Sequence, residues 1–224
     1  LFGGIMSSKD YKVILFDLDG TLSDSQEGII KSIQYSLKEL GIIEDDLLKL
    51  KSSIGGALAD VYTKWYGLSE EEAQLGIKLY RQRFEKQGIF ENSLFDGIKN
   101  LLEKLKNSGK VLCLATAKPN IYAEQILNQE NIRHFFDFVV GADFNNNKKT
   151  KTDIIRLAME AVTNHNKQDY IMIGDRNHDI VGANDNGIDS IAVTYGYGDI
   201  DELEKAQPTI IVNNVEELTK ILLR

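Results

Sequence analysis

Hydrophobic and polar positions along this chain are grouped in blocks, and the blocks predict strands and helices in turn. Val13-Ile14-Leu15-Phe16 contains no polar residue, the pattern of a strand covered on both faces, and Asp17 ends it abruptly. From 25 to 40, Ile29, Ile30, Ile33, Leu37 and Leu40 recur at helical spacing, with Gly41 as a stop. Helical patterning continues over 57–66 and 70–87, where Gly88 closes it, so the segment from 24 to 92 reads as helices without a convincing strand.

Alternation then resumes. The spacing predicts a helix over 96–108 with Ile98, Leu101, Leu102 and Leu105 inward, a strand over 110–115, and a helix to about 129 with Pro119 in its first turn. Strand patterns at 138–140, 170–173, 190–193 and 210–212 are separated or followed by helices at 152–163, 179–185 and 216–223. Strands separated by helices imply an α/β fold, a Rossmann-like parallel-sheet core with helices on both faces. The expected organisation is a core formed by 6–23 and 93–224, with a small all-α unit, 24–92, inserted after the first strand. Residues 1–5, ahead of Met6, are read as a remnant foreign to the fold, and the polar run 145–149 as a solvated loop.

Composition narrows the function classes. With 34 Asp and Glu against 26 Lys and Arg, the formal charge of the 224 residues is −8, which argues against nucleic acid or an anionic membrane as partner. A small anionic ligand stays open, because a local site can be positive on a negative protein. Cys113 is the single cysteine, which rules out an intrachain disulfide and a multi-thiolate zinc site; within Val111-Leu112-Cys113-Leu114-Ala115 it reads as a buried apolar residue. No run approaches the ~20 apolar residues of a membrane span, so a cytoplasmic location is expected.

Ligands of parallel sheets bind at the carboxyl ends of the strands. There the sequence places Asp17-Leu18-Asp19-Gly20-Thr21, then Thr116-Ala117-Lys118, then Lys151 ahead of a helix, and Gly174-Asp175 with Asp179 one helical turn on. Taken singly, the Asp and Gly residues fit ordinary turns, Thr116 a helix cap, and Lys151 a solvated helix start. Jointly they bring four carboxylates to one edge, which repel one another unless a cation holds them, and all-oxygen ligation suits magnesium.

These motifs, in this order, resemble the haloacid dehalogenase superfamily of phosphohydrolases across essentially the whole chain. A DLDGT run arises by chance in this length on the order of once in a thousand sequences. The resemblance implies that Asp17 is a nucleophile forming an aspartyl-phosphate and that Asp19 is the general acid and base. It implies a magnesium site made by Asp17, the backbone carbonyl of Asp19, Asp175 and Asp179, the last directly or through water. Gly20, Thr116, Ala117 and Lys151 would bind the phosphoryl oxygens. Asp19 favours phosphotransfer over dehalogenation, since carbon–halogen cleavage needs no acid for the leaving group.

Segments including Phe95-Asp96-Gly97-Ile98 and Tyr195-Gly196-Tyr197-Gly198 resemble the phosphoglycolate phosphatase-like subgroup. Its helical insert is a cap, and Ser53-Ile54-Gly55-Gly56 resembles the cap loop that enters the site, although Gly56-Ala57 replaces the Pro-containing version of many relatives. The implied substrate is a small phosphorylated metabolite, phosphoglycolate-like or a nucleoside monophosphate, handled by a monomer or homodimer. A sugar phosphomutase, a phosphoaspartate receiver and a non-catalytic phospho-ligand-binding relative are the alternatives. Arg81 and Arg83 read as solvated or salt-bridged, His178 as lying outside the first ring of ligands, and Trp65 as helical-insert packing.

Overall fold

The computed structural model describes residues 9–144 and 149–223. The segment 1–5 and most of the 145–149 loop lie outside them. Six strands form one parallel sheet in the order β5-β4-β1-β6-β7-β8. They are β1 (Val13–Phe16), β4 (Val111–Pro119), β5 (Phe138–Ala142), β6 (Tyr170–Gly174), β7 (Asp189–Val193) and β8 (Ile210–Val212). The strand period of two decides which core each residue of β1 joins. Ile14 and Phe16 enter the larger hydrophobic cluster, which includes Leu101, Leu105 and Leu218, whereas Val13 and Leu15 enter a second one with Ile154, Ile155 and Ala158. Cys113 is buried in that second cluster, as its apolar neighbours implied.

The flanking helices are α5 (Ile98–Asn107), α6 (Asn120–Gln129), α7 (Lys151–Ala161), α8 (Asn177–Asn186), α9 (Ile200–Lys205) and α10 (Val215–Leu222). Strand β4 runs four residues beyond its expected end, with a register irregularity between Ala115 and Pro119. Pro119 therefore sits just before α6, at the cap position, instead of inside its first turn. Helix α9 has no long periodic run and was not foreseen.

Between β2 (Ser23–Asp24) and β3 (Ser93–Leu94) the chain is helical: α1 (Gln26–Glu39), α2 (Leu47–Ser52), α3 (Leu58–Asp60) followed by a π-helical turn (Val61–Trp65), and α4 (Glu70–Lys86). A capping box, Ser69 with Glu72, starts α4. The two short strands pair antiparallel, Ser23 with Leu94 and Asp24 with Ser93, and so bring the two ends of the helical segment together. Two residues carry no periodicity, which is why neither strand was predicted. Gly28 allows the close approach that accompanies this: a β-carbon there would lie 2.1 Å from the Gly88 carbonyl oxygen. Tyr62 is fully buried in the helical segment, but Trp65 is 39% exposed and is not the packing residue expected.

Candidate active site

The carboxyl ends of β1, β4 and β6 meet at the centre of the sheet, where chain order and spatial order part company. Asp17 follows β1, Asp175 follows β6, and Asp179 lies in the first turn of α8. All three are buried, and each offers a carboxylate oxygen within 4.8 Å of the others. Lys151, the first residue of α7, reaches the same point: its Nζ is 2.8 Å from Asp17 Oδ1 and 2.8 Å from Asp179 Oδ1. A capping box of Thr150 and Asp153 sets where α7 begins, and hence where Lys151 projects.

Backbone geometry holds the acids in place. Thr21 Oγ1 donates to Asp175 Oδ1 at 3.1 Å and the Tyr197 N–H donates to Asp175 Oδ2 at 2.8 Å. The Arg176 N–H donates to Asp179 Oδ2 at 3.1 Å. Gly20 adopts a φ of +80°, and a β-carbon there would sit 2.1 Å from Asp175 Oδ2. The run 195–198 encloses Asp175 from the other side: a β-carbon on Gly196 would lie 2.4 Å from that of Asp175, and one on Gly198 would lie 2.1 Å from its carbonyl oxygen. Those glycines are there to let the backbone approach a buried carboxylate.

Burial pushes the Asp17 carboxyl upward, but the Lys151 ammonium and the Leu18 backbone N–H outweigh it and hold Asp17 below the ordinary carboxylate range. Asp175 is pushed well above that range, first by burial and then by the charges of Asp179 and Asp17. Lys151 is raised, because those two carboxylates overcome the burial that opposes its charge. Despite their short ionic distances, Asp17 Oδ1, Asp179 Oδ1 and Lys151 Nζ have no hydrogen-bond partner in directional geometry. Buried oxygens without directed donors, three carboxylates against one ammonium, and an all-oxygen donor set fit a hard divalent cation.

Asp19 lies beside this cluster, with both oxygens engaged. Ser25 Oγ donates to Oδ1 at 2.6 Å, and Lys118 Nζ is 2.9 Å from Oδ2. Lys118 is buried at the end of β4, and its Nζ lies 4.8 Å from the centroid of the Phe84 ring on α4. It is therefore a cation at which sheet edge and helical segment meet. Sequence reasoning noted its position and assigned it nothing; its place two residues after Thr116 was the available signal, and the extension of β4 that carries it to Asp19 was not legible.

The Gly20 N–H donates to Ser23 O at 2.8 Å, so Gly20 itself contributes conformation and close packing beside Asp175, and an amide offered to phosphate here would come from its neighbours. Thr116 is buried and its Oγ1 accepts from the Lys118 N–H at 3.2 Å, so it does not cap α6. Ala117 is exposed beside it. Ser53 is buried with its hydroxyl donating to Leu50 O at 2.6 Å, and Gly55 reaches the first turn of α8, where its carbonyl lies 2.8 Å from His178 Nε2. Gly56 is exposed and its N–H turns back to Ser53 O. Arg83 forms a two-point ion pair with Glu91 at 2.9 and 3.0 Å, and Arg81 donates to Phe144 O at 2.9 Å.

Residues 14–193 match the haloacid dehalogenase-like hydrolases, and the chain belongs to that family. Within the family it is a phosphatase, which agrees with relatives named 5'-nucleotidase and phosphoglycolate phosphatase. A protein of Pseudomonas aeruginosa named 5'-nucleotidase is 39% identical over 95% of this chain and 96% of its own length. The Mycobacterium tuberculosis protein named tyrosine-protein kinase PtkA is 34% identical over 94% of this chain and 72% of its own. The crystal structure of a predicted phosphatase from Clostridium acetobutylicum matches with a TM-score of 0.91 at 44% identity, covering 96% of this chain and 99% of that one. Among the described residues no helix is long and apolar enough to cross a membrane.

Proposed function

We propose that this phosphatase is a magnesium-dependent phosphomonoesterase that works through an aspartyl-phosphate on Asp17, and that its substrate is a nucleoside monophosphate. The observation that carries the reading is the buried meeting of Asp17, Asp175, Asp179 and Lys151, a nucleophile among an excess of acids. Asp17, Asp175, Asp179 and the Asp19 carbonyl would hold magnesium, which when bound offsets negative charge that would otherwise repel a phosphate dianion.

An ionised Asp17 oxygen attacks phosphorus while the bond to the leaving oxygen breaks. Asp19 gives that oxygen its proton and later takes one from the water that cleaves the acyl-phosphate, returning Asp17 and inorganic phosphate. Lys151 and Thr116 orient the phosphoryl oxygens. Lys118 and Ser25 hold the Asp19 carboxylate at a fixed place beside the nucleophile. Residues 24–92 act as a cap that excludes water and contacts the leaving group.

The 5'-nucleotidase name of the 39%-identical relative supports a nucleoside monophosphate over phosphoglycolate. A kinetic screen with magnesium tests this, comparing nucleoside monophosphates, phosphoglycolate, sugar phosphates and pyrophosphate by specificity constant. An arm with ATP and a tyrosine peptide covers the activity named in the second relative. The highest constant is expected for a nucleoside monophosphate, and a higher one for phosphoglycolate reverses the substrate assignment. Asp17→Asn is expected to lower kcat at least about 10³-fold while the protein stays folded. Near-normal magnesium-dependent turnover by that variant would end the mechanism.

A further inference from the structure

The acidic turn that runs from the end of β6 into the first turn of α8 does more than present Asp175 and Asp179. The two residues between them that carry long polar side chains both reach the helical segment. Arg176 Nη1 donates to the backbone carbonyls of Ser52, at 3.3 Å, and Ile54. Its Nε donates to Glu202 Oε1 at 2.9 Å. His178 Nε2 lies 2.8 Å from Gly55 O; a carbonyl only accepts, so that nitrogen carries the proton. Three backbone carbonyls at and just past the end of α2, those of Ser52, Ile54 and Gly55, are thus gathered by one segment of the sheet edge.

The gathering is braced from behind. Glu202, in the first turn of α9, also accepts from the Asn177 N–H at 2.8 Å, so one carboxylate fixes both the start of α8 and the Arg176 guanidinium. The Arg176 and Glu202 side chains are 15% and 19% exposed, a pair screened less than one on the open surface. Gly55 has a φ of +88°, and a β-carbon there would lie 3.3 Å from Arg176 Cγ and 3.4 Å from His178 Nε2, leaving little room for a larger residue. The Arg176 N–H meanwhile binds Asp179 Oδ2, so one residue touches a site carboxylate by its backbone and the helical segment by its side chain.

We infer that Arg176, braced by Glu202, is a positioning residue that clasps the 52–55 loop against the acidic turn and ties closure of the helical segment to the order of the site. The inference rests on the reading of 24–92 as a cap. It distinguishes this contact from the one through α4, where Tyr122 binds Glu85 at 2.6 Å and Arg81 binds Phe144 O, neither of which touches the acidic turn. The fork of the guanidinium is what the arrangement needs: Nε serves Glu202 while Nη1 serves the carbonyls, and a lysine ammonium cannot span both sets in that geometry.

Amide hydrogen exchange on the intact protein without substrate tests the clasp directly. In Arg176→Ala, exchange over 52–57 is expected to accelerate at least about tenfold while β1 and β6 are unchanged. With the best substrate of the screen, kcat/KM is expected to fall about tenfold, mainly through KM, and Arg176→Lys to restore less than half of the loss. Unchanged exchange over 52–57, or a loss confined to kcat, overturns the clasp. If Arg176→Ala loosens the whole fold, Glu202→Gln decides: selective loosening of 52–57 supports the clasp and unchanged exchange there overturns it. A wild type inert on every phosphoester would sink the proposed function and leave the exchange result standing. An active wild type whose 52–57 exchange ignores Arg176 and Glu202 would sink the clasp alone.

Discussion

Two clusters of lysine and aspartate occupy opposite ends of the same parallel sheet. At the carboxyl ends of the strands, Lys151 faces Asp17 and Asp179 at 2.8 Å with Asp175 alongside, all of them buried. At the amino ends, Asp10 is bound by Lys12 and Lys110, and Asp137 accepts from Lys106 at 2.8 Å and from the Leu112 N–H at 2.9 Å. The residue types are the same. The amino-end acids are half-exposed and each has cations or amides to match it, whereas the carboxyl-end acids are buried and outnumber their one ammonium. Charge of one sign in excess, removed from water, requires a compensating ion or substrate; charge that is paired and wet only adds a little stability.

Replacing one lysine at each end should break the comparison most sharply. Lys151→Met is expected to destabilise the fold by about 3 kcal/mol, because it leaves two buried carboxylates without their cation. It should also reduce phosphate release by about 10³-fold. Lys12→Met, at a pair in which both side chains are about half exposed, should cost less than about 1 kcal/mol and leave turnover unchanged. Denaturant melts and steady-state kinetics on both variants check this, and equal effects at the two ends would refute the distinction.

A smaller effect concerns the missing counter-charge. Magnesium at about 100 times its dissociation constant should add about 2.7 kcal/mol to the wild type, read as a rise in melting midpoint. Asp175→Asn should remove that response, and Asp10→Asn should keep it. An Asp175→Asn protein that magnesium still stabilises fully would place the ion elsewhere.

The smallest effect tests the amino end alone. Hydrogen bonds from Lys110 and Lys12 hold the Asp10 carboxyl down at about 2, below its ordinary value. A carboxyl lowered in the folded state stabilises above its unfolded value, so this contribution is present at neutral pH and fades as pH falls from about 4 to about 2. Because the group is half-exposed, Asp10→Asn should cost about 0.5 kcal/mol or less at pH 7, and nothing measurable near pH 2 or in high salt. A larger loss that survives salt would show that the pair is structural in its own right.

Much of this was legible in the amino acids. The apolar run at 13–16 marks a strand that divides two cores, and helical periodicity marks α1, α4, α5 and α7, because burial on one face or both leaves a period in the chain. The DLDGT run, Thr116, Lys151 and the GDxxxD segment were legible because a strand end followed by Asp and Gly is a local pattern. What stayed hidden lacks local pattern. Lys118 reads as an ordinary lysine until β4 extends past Ala115 and carries it to Asp19. Tyr195 and Tyr197 lie far along the chain from the residues they hold: the Tyr195 hydroxyl donates to Thr21 O at 3.0 Å, and Tyr197 accepts from the Ser25 N–H at 2.8 Å. That the Gly20 N–H is already taken by Ser23 O is likewise visible only in the turn geometry.

The sequence by itself determined the alternation of strands and helices, the all-helical segment after the first strand, and the set of acids with one lysine at the strand ends. Each depends on spacing between near neighbours, which burial and backbone hydrogen bonding impress on the chain directly. Tertiary structure alone decided which charges share a buried space, which oxygens lack donors, and that Arg176 faces the 52–55 loop. Those outcomes depend on strand order, since β1 lies between β4 and β6 although about 95 and 155 residues of chain intervene, and Coulomb and desolvation energies depend on distance and burial, not on position in the sequence.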